Sequence, residues 1–250
     1  MRSLGWIWRR EMGWFVRTPA GFGIGVLFLI LTGSSFWYMV GQAGMGLLGS
    51  ASLRPYLEAN PLQWVVMLLT VPALTMNLIA GEKESGTIDH LLAAPVGAGQ
   101  VVAGKFLAAL TAYLLLWSLT GLHLVLLARH SSWDPSADLG LVAGLGTLLV
   151  LSGLFYLAIG TLCSSLTSSP VLAAVMTMGG MCLVFFLPFL AELTDSRTAQ
   201  SVAAHISPRH HAAALLGGRL SLAVVAYYLS GAWLMLFAAA RALEARMWRA

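Results

Sequence analysis

Several groups of residues in this chain have types and spacings that chemistry uses. Gly99-Gln100-Val101-Val102-Ala103-Gly104-Lys105 sets two glycines and a lysine at the spacing of a phosphate-cradling loop. The next position must be Ser or Thr to hold magnesium, and it is Phe106. The segment also opens an apolar run instead of following a strand, so it is not read as a nucleotide site. His205, His210 and His211 share a segment with Glu192 and Asp195, donors that zinc or copper uses and that could sense pH. Their spacing fits no zinc motif, and Ser201 to Leu216 reads as a partly helical polar loop. Met178, Met181 and Cys182 share a helical face, with Met176 nearby, but methionine is equally a filler of apolar gaps. Ser152 has Val150 two positions before it, where a nucleophile elbow needs glycine. None of these is a catalytic or metal site on its spacing alone.

The densest polar signal is the segment from Gly81 to Val96. Glu82, Glu84 and Asp89 put three of the ten acidic residues within eight positions. Ser85 or Thr87 can cap a short helix, whose N-terminal dipole favours nearby acids. Ile88, Leu91 and Leu92 then recur on one apolar face, and Pro95 with Gly97 ends the helix. Clustered acids are disfavoured against an anionic leaflet, so the apolar face is expected to meet a cytosolic protein.

The elements that position these residues follow from composition. Of 250 residues, 58% are hydrophobic and only 10% charged, where a soluble domain carries about 25% charged residues. Lipid must therefore serve as solvent for much of the surface. The net charge of +4 sits at the ends of apolar segments, not in a basic stripe, which speaks against nucleic acid as a partner. Neither a disulfide framework nor a cleavable signal peptide is expected. The fold class is all-α. Apolar runs predict spans at about 20–40, 62–80, 101–128, 139–162, 171–190 and 220–240 within a single membrane domain, with Pro72 kinking the second. Gly21 and Gly25 have the spacing that lets membrane helices approach closely.

Basic residues set the orientation. Arg2, Arg9, Arg10, Arg17, Lys83, Lys105, Arg241, Arg246 and Arg249 fall on the side of the termini, against Arg54, Arg129, Arg197, Arg209 and Arg219 on the other. The excess predicts cytoplasmic termini. Residues 1–18 mix Trp6, Ile7, Trp8, Trp14, Phe15 and Val16 with arginines, as in an amphipathic helix lying in the interface before the chain turns inward at Pro19.

Pro72-Ala73-Leu74-Thr75-Met76, the run Glu82 to Val96 and Gly104-Lys105-Phe106-Leu107-Ala108 together resemble the permease subunits of ABC-2-type ABC transporters. The nearest likeness is to the branch associated with gliding motility. Ser207-Pro208 through Gly217, Tyr227-Tyr228-Leu229-Ser230 and Arg241-Ala242-Leu243-Glu244 extend it over most of the chain. The resemblance implies an inner-membrane export permease of bacteria, paired with a second permease chain and surrounded by lipid. It implies no cofactor here, with ATP and magnesium held by a separate cytosolic ATPase. It places Glu82, Glu84, Gly86, Thr87, Asp89, Leu91, Leu92 and Pro95 at or near the ATPase contact, with His90 where such loops more often carry Glu.

Two other readings compete. An ion-coupled transporter normally carries acids inside its spans, and none stands mid-span here, although hydroxyls and carbonyls can bind sodium. A structural membrane subunit of a larger machine is the second.

Overall fold

The computed structural model describes residues 2–44, 61–88, 97–130, 139–192 and 197–247. The described residues are helical and contain no strand. They form α1 (Arg2–Arg17), α2 (Pro19–Gly44), α3 (Pro61–Thr75), α4 (Ala80–Glu84), α5 (Ala98–Leu119) and α6 (Gly121–His130). The chain continues with α7 (Leu139–Leu166), α8 (Pro170–Glu192), α9 (Arg197–Ile206), α10 (Pro208–Leu216) and α11 (Leu222–Met247). Six stretches are long and apolar enough to cross a membrane: Pro19–Tyr38, Gln63–Glu84, Ala98–Leu126, Leu139–Leu166, Pro170–Phe189 and Leu222–Ala245.

The turn from α1 into α2 is written in its residues. The Thr18 hydroxyl donates to the Trp14 carbonyl (2.8 Å) and accepts from the Gly21 amide (3.2 Å). Pro19 then takes the first helical position, where a missing N–H costs nothing. A Cβ on Gly21 would stand 2.1 Å from the Phe15 carbonyl oxygen, so the corner closes only around glycine.

Two spans lie inside and four outside. The most apolar windows of the second and fourth spans are 56% and 50% buried, against 17–22% for the others. The fourth span, α7, is the central column and meets α3, α5, α8, α10 and α11. It buries Leu151 to Gly153, and Phe155 to Thr161, on all sides. Glycines let its neighbours come close. A Cβ on Gly153 would meet the Tyr113 ring at 2.3 Å, and one on Gly160 the Thr75 hydroxyl at 2.2 Å.

The second span is broken, where the sequence predicts only a kink. Pro72 has no N–H to offer the Leu68 carbonyl, and α3 stops at Thr75. Helix resumes at Ala80 after four residues. The amides of Ile79 and Ala80 would be orphaned by this break. Both donate to Ser164 Oγ of α7, at 3.1 and 3.0 Å, and that hydroxyl donates to the Met76 carbonyl at 3.2 Å. The third span also divides, at Thr120, into α5 and α6.

At the end of the bundle away from the termini, α10 leans on α7. A Cβ on Gly144 would stand 2.0 Å from the Leu215 carbonyl oxygen, a backbone atom that no rotamer change can move. Gly146, one half-turn on, has nothing within 4 Å of such a Cβ. Gly144→Ala is therefore expected to cost about 1–3 kcal/mol and Gly146→Ala to be neutral or slightly stabilising. Thermal unfolding of the two purified variants in detergent checks the difference, and equal melting temperatures would refute the close contact.

Candidate functional site

Lys105 lies in the third turn of α5, a helix otherwise free of charge. Its side chain is 1% exposed, and an ammonium there requires charged partners. Two carboxylates from two other elements supply them. Nζ stands 2.9 Å from Glu11 Oε1 of α1 and 3.0 Å from Glu82 Oε1 of α4. Arg10 closes the group from the solvent side: its Nη2 donates to Glu11 Oε1 at 2.7 Å and also to Glu82 Oε1. Burial works against the Arg10 charge, but the hydrogen bonds and charges of Glu11 and Glu82 outweigh it and raise its pKa. The quartet is formally neutral, and Glu82 Oε2 is buried without a hydrogen-bond partner.

Apolar and polar contacts bring α1 to this position. Ile7 presses on Gly104, where a Cβ would stand 2.9 Å from Ile7 Cγ2. Trp8 Nε1 donates to Thr111 Oγ1 at 3.0 Å. Positions 4, 7, 8 and 11 thus share the face that meets α5. Of the apolar residues the sequence assigns to the interface, Ile7 is buried on protein, while Trp6, Trp8 and Val16 stay exposed.

The short helix α4 is fixed at both ends. Ser164 caps its N-terminal amides, and Lys83 Nζ donates to the Ser165 carbonyl at the end of α7. Its C-terminus closes with Ser85 N on the Gly81 carbonyl (3.1 Å) and Gly86 N on the Lys83 carbonyl (3.3 Å). Gly86 has φ +70°, the left-handed conformation that ends helices and favours glycine. Beside the quartet lies a cavity of about 580 Å³, walled by Trp14 and Phe15 of α1, Asn77 and Leu78 of the break, and Glu84.

A short broken helix tied to three others at the bundle end invites comparison with transporters. The sequence model of the ABC-2 family transporter proteins matches residues 5–216. The chain belongs to the ABC-2 transporter family. The "Probable ABC transporter permease protein NosY" of Pseudomonas aeruginosa is 30% identical over 204 residues, 80% of this chain and 72% of that protein. The protein of the same description from Stutzerimonas stutzeri is 33% identical over 99 residues, 39% of this chain and 35% of its own length. The chain is thus the multi-pass membrane permease subunit of an ABC transporter. Membership implies an ATPase partner and usually a second permease chain.

Within the permease, the residues singled out in the acidic segment separate into two sets. Glu82 turns inward to Lys105, and Ile88 is fully buried. Glu84, Ser85, Gly86 and Thr87 are exposed, with Ser85 and Thr87 hydroxyls 2.9 Å apart. Asp89, His90, Leu91, Leu92 and Pro95 lie outside the described residues. Sequence reasoning missed Arg10, Glu11, Lys105 and Ser164 as partners of this segment. One signal was available: a lysine seven residues into an apolar helix must find a carboxylate.

Of the other candidates, Asp195 and the Glu192 side chain lie outside the described residues, and several of the rest make structural contacts. Gly104 and Lys105 of the loop-like segment serve contact with α1. The described residues bring no three metal-ligating side chains together. His205 Nδ1 bonds the Ser201 carbonyl (2.8 Å), and His211 Nε2 bonds the His205 carbonyl (3.1 Å). His211 is buried edge-on against Tyr227 and Tyr228. Cys163 and Cys182 are free thiols.

Two measurements follow from this geometry. Lys105→Met is expected to destabilise by about 3 kcal/mol, because it leaves two carboxylates without their buried cation. Lys105→Met combined with Glu82→Gln should recover about 1–2 kcal/mol of the summed losses, and a double-mutant cycle near zero would refute the pairing. Burial pushes the His211 imidazole down, with His205 and His210 adding to the effect against the raising hydrogen bond to the His205 carbonyl. The unfolded chain then takes up its proton first, near its ordinary pKa of about 6.5. Stability present above that pH is lost as pH falls toward the lowered native value, by at most about 1.4 kcal/mol per pH unit. Melting temperatures of wild type and His211→Gln between pH 8 and pH 5 check it: the variant should show a shallower fall.

Proposed function

We propose that residues 82–96, led by α4, are the coupling element through which a separate cytosolic ATPase drives this permease. The termini then lie in the cytoplasm of a bacterial cell, the membrane is the inner one, and two permease chains form the pathway, with export as the direction. ATP and magnesium belong to the partner; the glycine-lysine segment of this chain is committed to helix contact.

One observation carries the reading. The exposed edge Glu84–Thr87 ends and follows a short helix that Ser164, Lys83 and the Lys105 quartet tie to α7, α5 and α1. A force applied to that edge has no slack segment in which to dissipate, and it moves spans three and four and α1 together. The break at residues 76–79 gives the same edge some independence from α3. The ion-coupled alternative needs a charged group free to exchange its ion, and Lys105 is held by two carboxylates.

The test is co-purification with the ATPase encoded beside the permease. Glu84→Ala combined with Asp89→Ala keeps all four residues of the quartet in place, and should reduce bound ATPase at least tenfold. Charge-assisted hydrogen bonds of about 1.5–3 kcal/mol each set that scale. Glu82→Gln should instead lower the melting temperature. Full retention of the ATPase by the double variant, or no ATPase bound by the wild type, would sink the proposal.

A further inference from the structure

At the end of the bundle away from the termini, α3, α7 and α10 enclose a cavity of about 410 Å³, within the roughly 300–1,000 Å³ usual for small-molecule sites. It runs beside α7 from Leu145 to Ser152, seven residues or about 10 Å along the helix axis. Its depth therefore reaches the middle of the fourth span.

The lining is segregated. Trp64 and Met67 of α3 and Leu145, Leu148 and Leu149 of α7 form the apolar walls, with Gln63 and Ser207 as neutral polar groups beside them. The Ser152 hydroxyl also lines the cavity and donates its proton to the Leu148 carbonyl of its own helix. The charged or titratable side chains on the rim are Arg209 and His210, both from α10, and no carboxylate lines the cavity. Arg209 makes no ion pair among the described residues. The rim is held in place: α10 buries Pro208, His211, Ala212 and Leu215, and the Gly144–Leu215 contact fixes its height.

We propose that this cavity binds an anionic amphiphile, with its acidic head at Arg209 and His210 and its alkyl chain along Trp64, Met67 and Leu148. A soluble anion would leave the apolar walls in contact with water, which costs about 25 cal/mol for each Å² not buried. A cationic head would meet the rim charge with the wrong sign. Only a ligand that joins an acidic head to an apolar tail satisfies both halves. The inference rests on the chain being a permease, and not on coupling through residues 82–96.

The probe is dodecyl phosphate, added to the full-length permease in a neutral maltoside detergent and counted by native mass spectrometry. One molecule should be retained per chain. Arg209→Gln with His210→Gln, both exposed positions, should weaken retention at least tenfold. Ala213→Trp, at an exposed position facing the cavity, should abolish it by filling the slot. Dodecyltrimethylammonium should not be retained. Competition by phosphatidylglycerol would identify the ligand as a membrane lipid, and failure to compete as a single-chain ligand; either outcome keeps the anionic amphiphile. Equal retention of dodecyltrimethylammonium, equal affinity for inorganic phosphate alone, or unaltered binding by both variants would overturn it. Because no ATPase is present, this result and the co-purification result fail independently.

Discussion

An ammonium group buried in an apolar bundle is tolerable only beside carboxylates, and Lys105 is fully buried. That constraint organises one end of the permease. Lys105 stands on α5 and can be neutralised only by bringing Glu11 and Glu82 to the same point from elements 94 and 23 residues away in sequence. Glu11 fixes where α1 lies, and Glu82 fixes which way α4 faces. Once Glu82 is turned inward, Glu84 and Thr87 are left on the outside, so the exposed edge of the segment is a consequence of the buried charge.

The same end depends on α7 as well, and so does the opposite one. Ser164, near the C-terminus of α7, satisfies the amides freed by the break in the second span. Gly144, near its N-terminus, seats the backbone of α10. These contacts are 20 residues apart, or about 30 Å along one straight helix. Close-packed helices with glycine contacts slide or tilt as units more readily than they bend. The helix α7 thus touches both α4 and the cavity under Arg209 and His210, and α8 likewise touches both α4 and α10.

The six spans were legible because apolar runs report only local composition, and lipid imposes their length. The corner at Pro19 was legible for a similar reason, since a proline acts on its immediate neighbours, whereas the Thr18 hydroxyl that closes it came only from the structure. The break at residues 76–79 was not, since Pro72 predicts a kink and the hydroxyl that satisfies a full break, on Ser164, lies 85 residues along the chain from Ile79. Glu82 was read with Glu84 and Asp89 as one acidic surface for the same reason. Their spacing is indistinguishable in sequence, and what separates Glu82 from Glu84 is Lys105, which belongs to another helix. The histidines mislead in the opposite direction. His205, His210 and His211 are close in sequence, but the rings of His205 and His211 bond backbone carbonyls, and the described residues bring no three metal-ligating side chains together.

The helix α1 shows how magnitudes decide between two roles. A basic, tryptophan-rich helix next to an anionic leaflet gains about 1 kcal/mol for each arginine or lysine near the surface. Arg9 and Arg17 are exposed and free to take that gain. Against it stand the burial of Ile7 on Gly104, the Trp8–Thr111 hydrogen bond and a share in a buried ion group whose disruption costs about 3–5 kcal/mol. The protein contacts dominate. These contacts tie α1 to α4 and α5, and its outer face keeps Trp6 and Val16 exposed. The two roles use different sides of one helix: Ile7 and Glu11 hold α1 to the bundle, while Trp6, Arg9, Val16 and Arg17 keep an exposed basic and aromatic face for the interface.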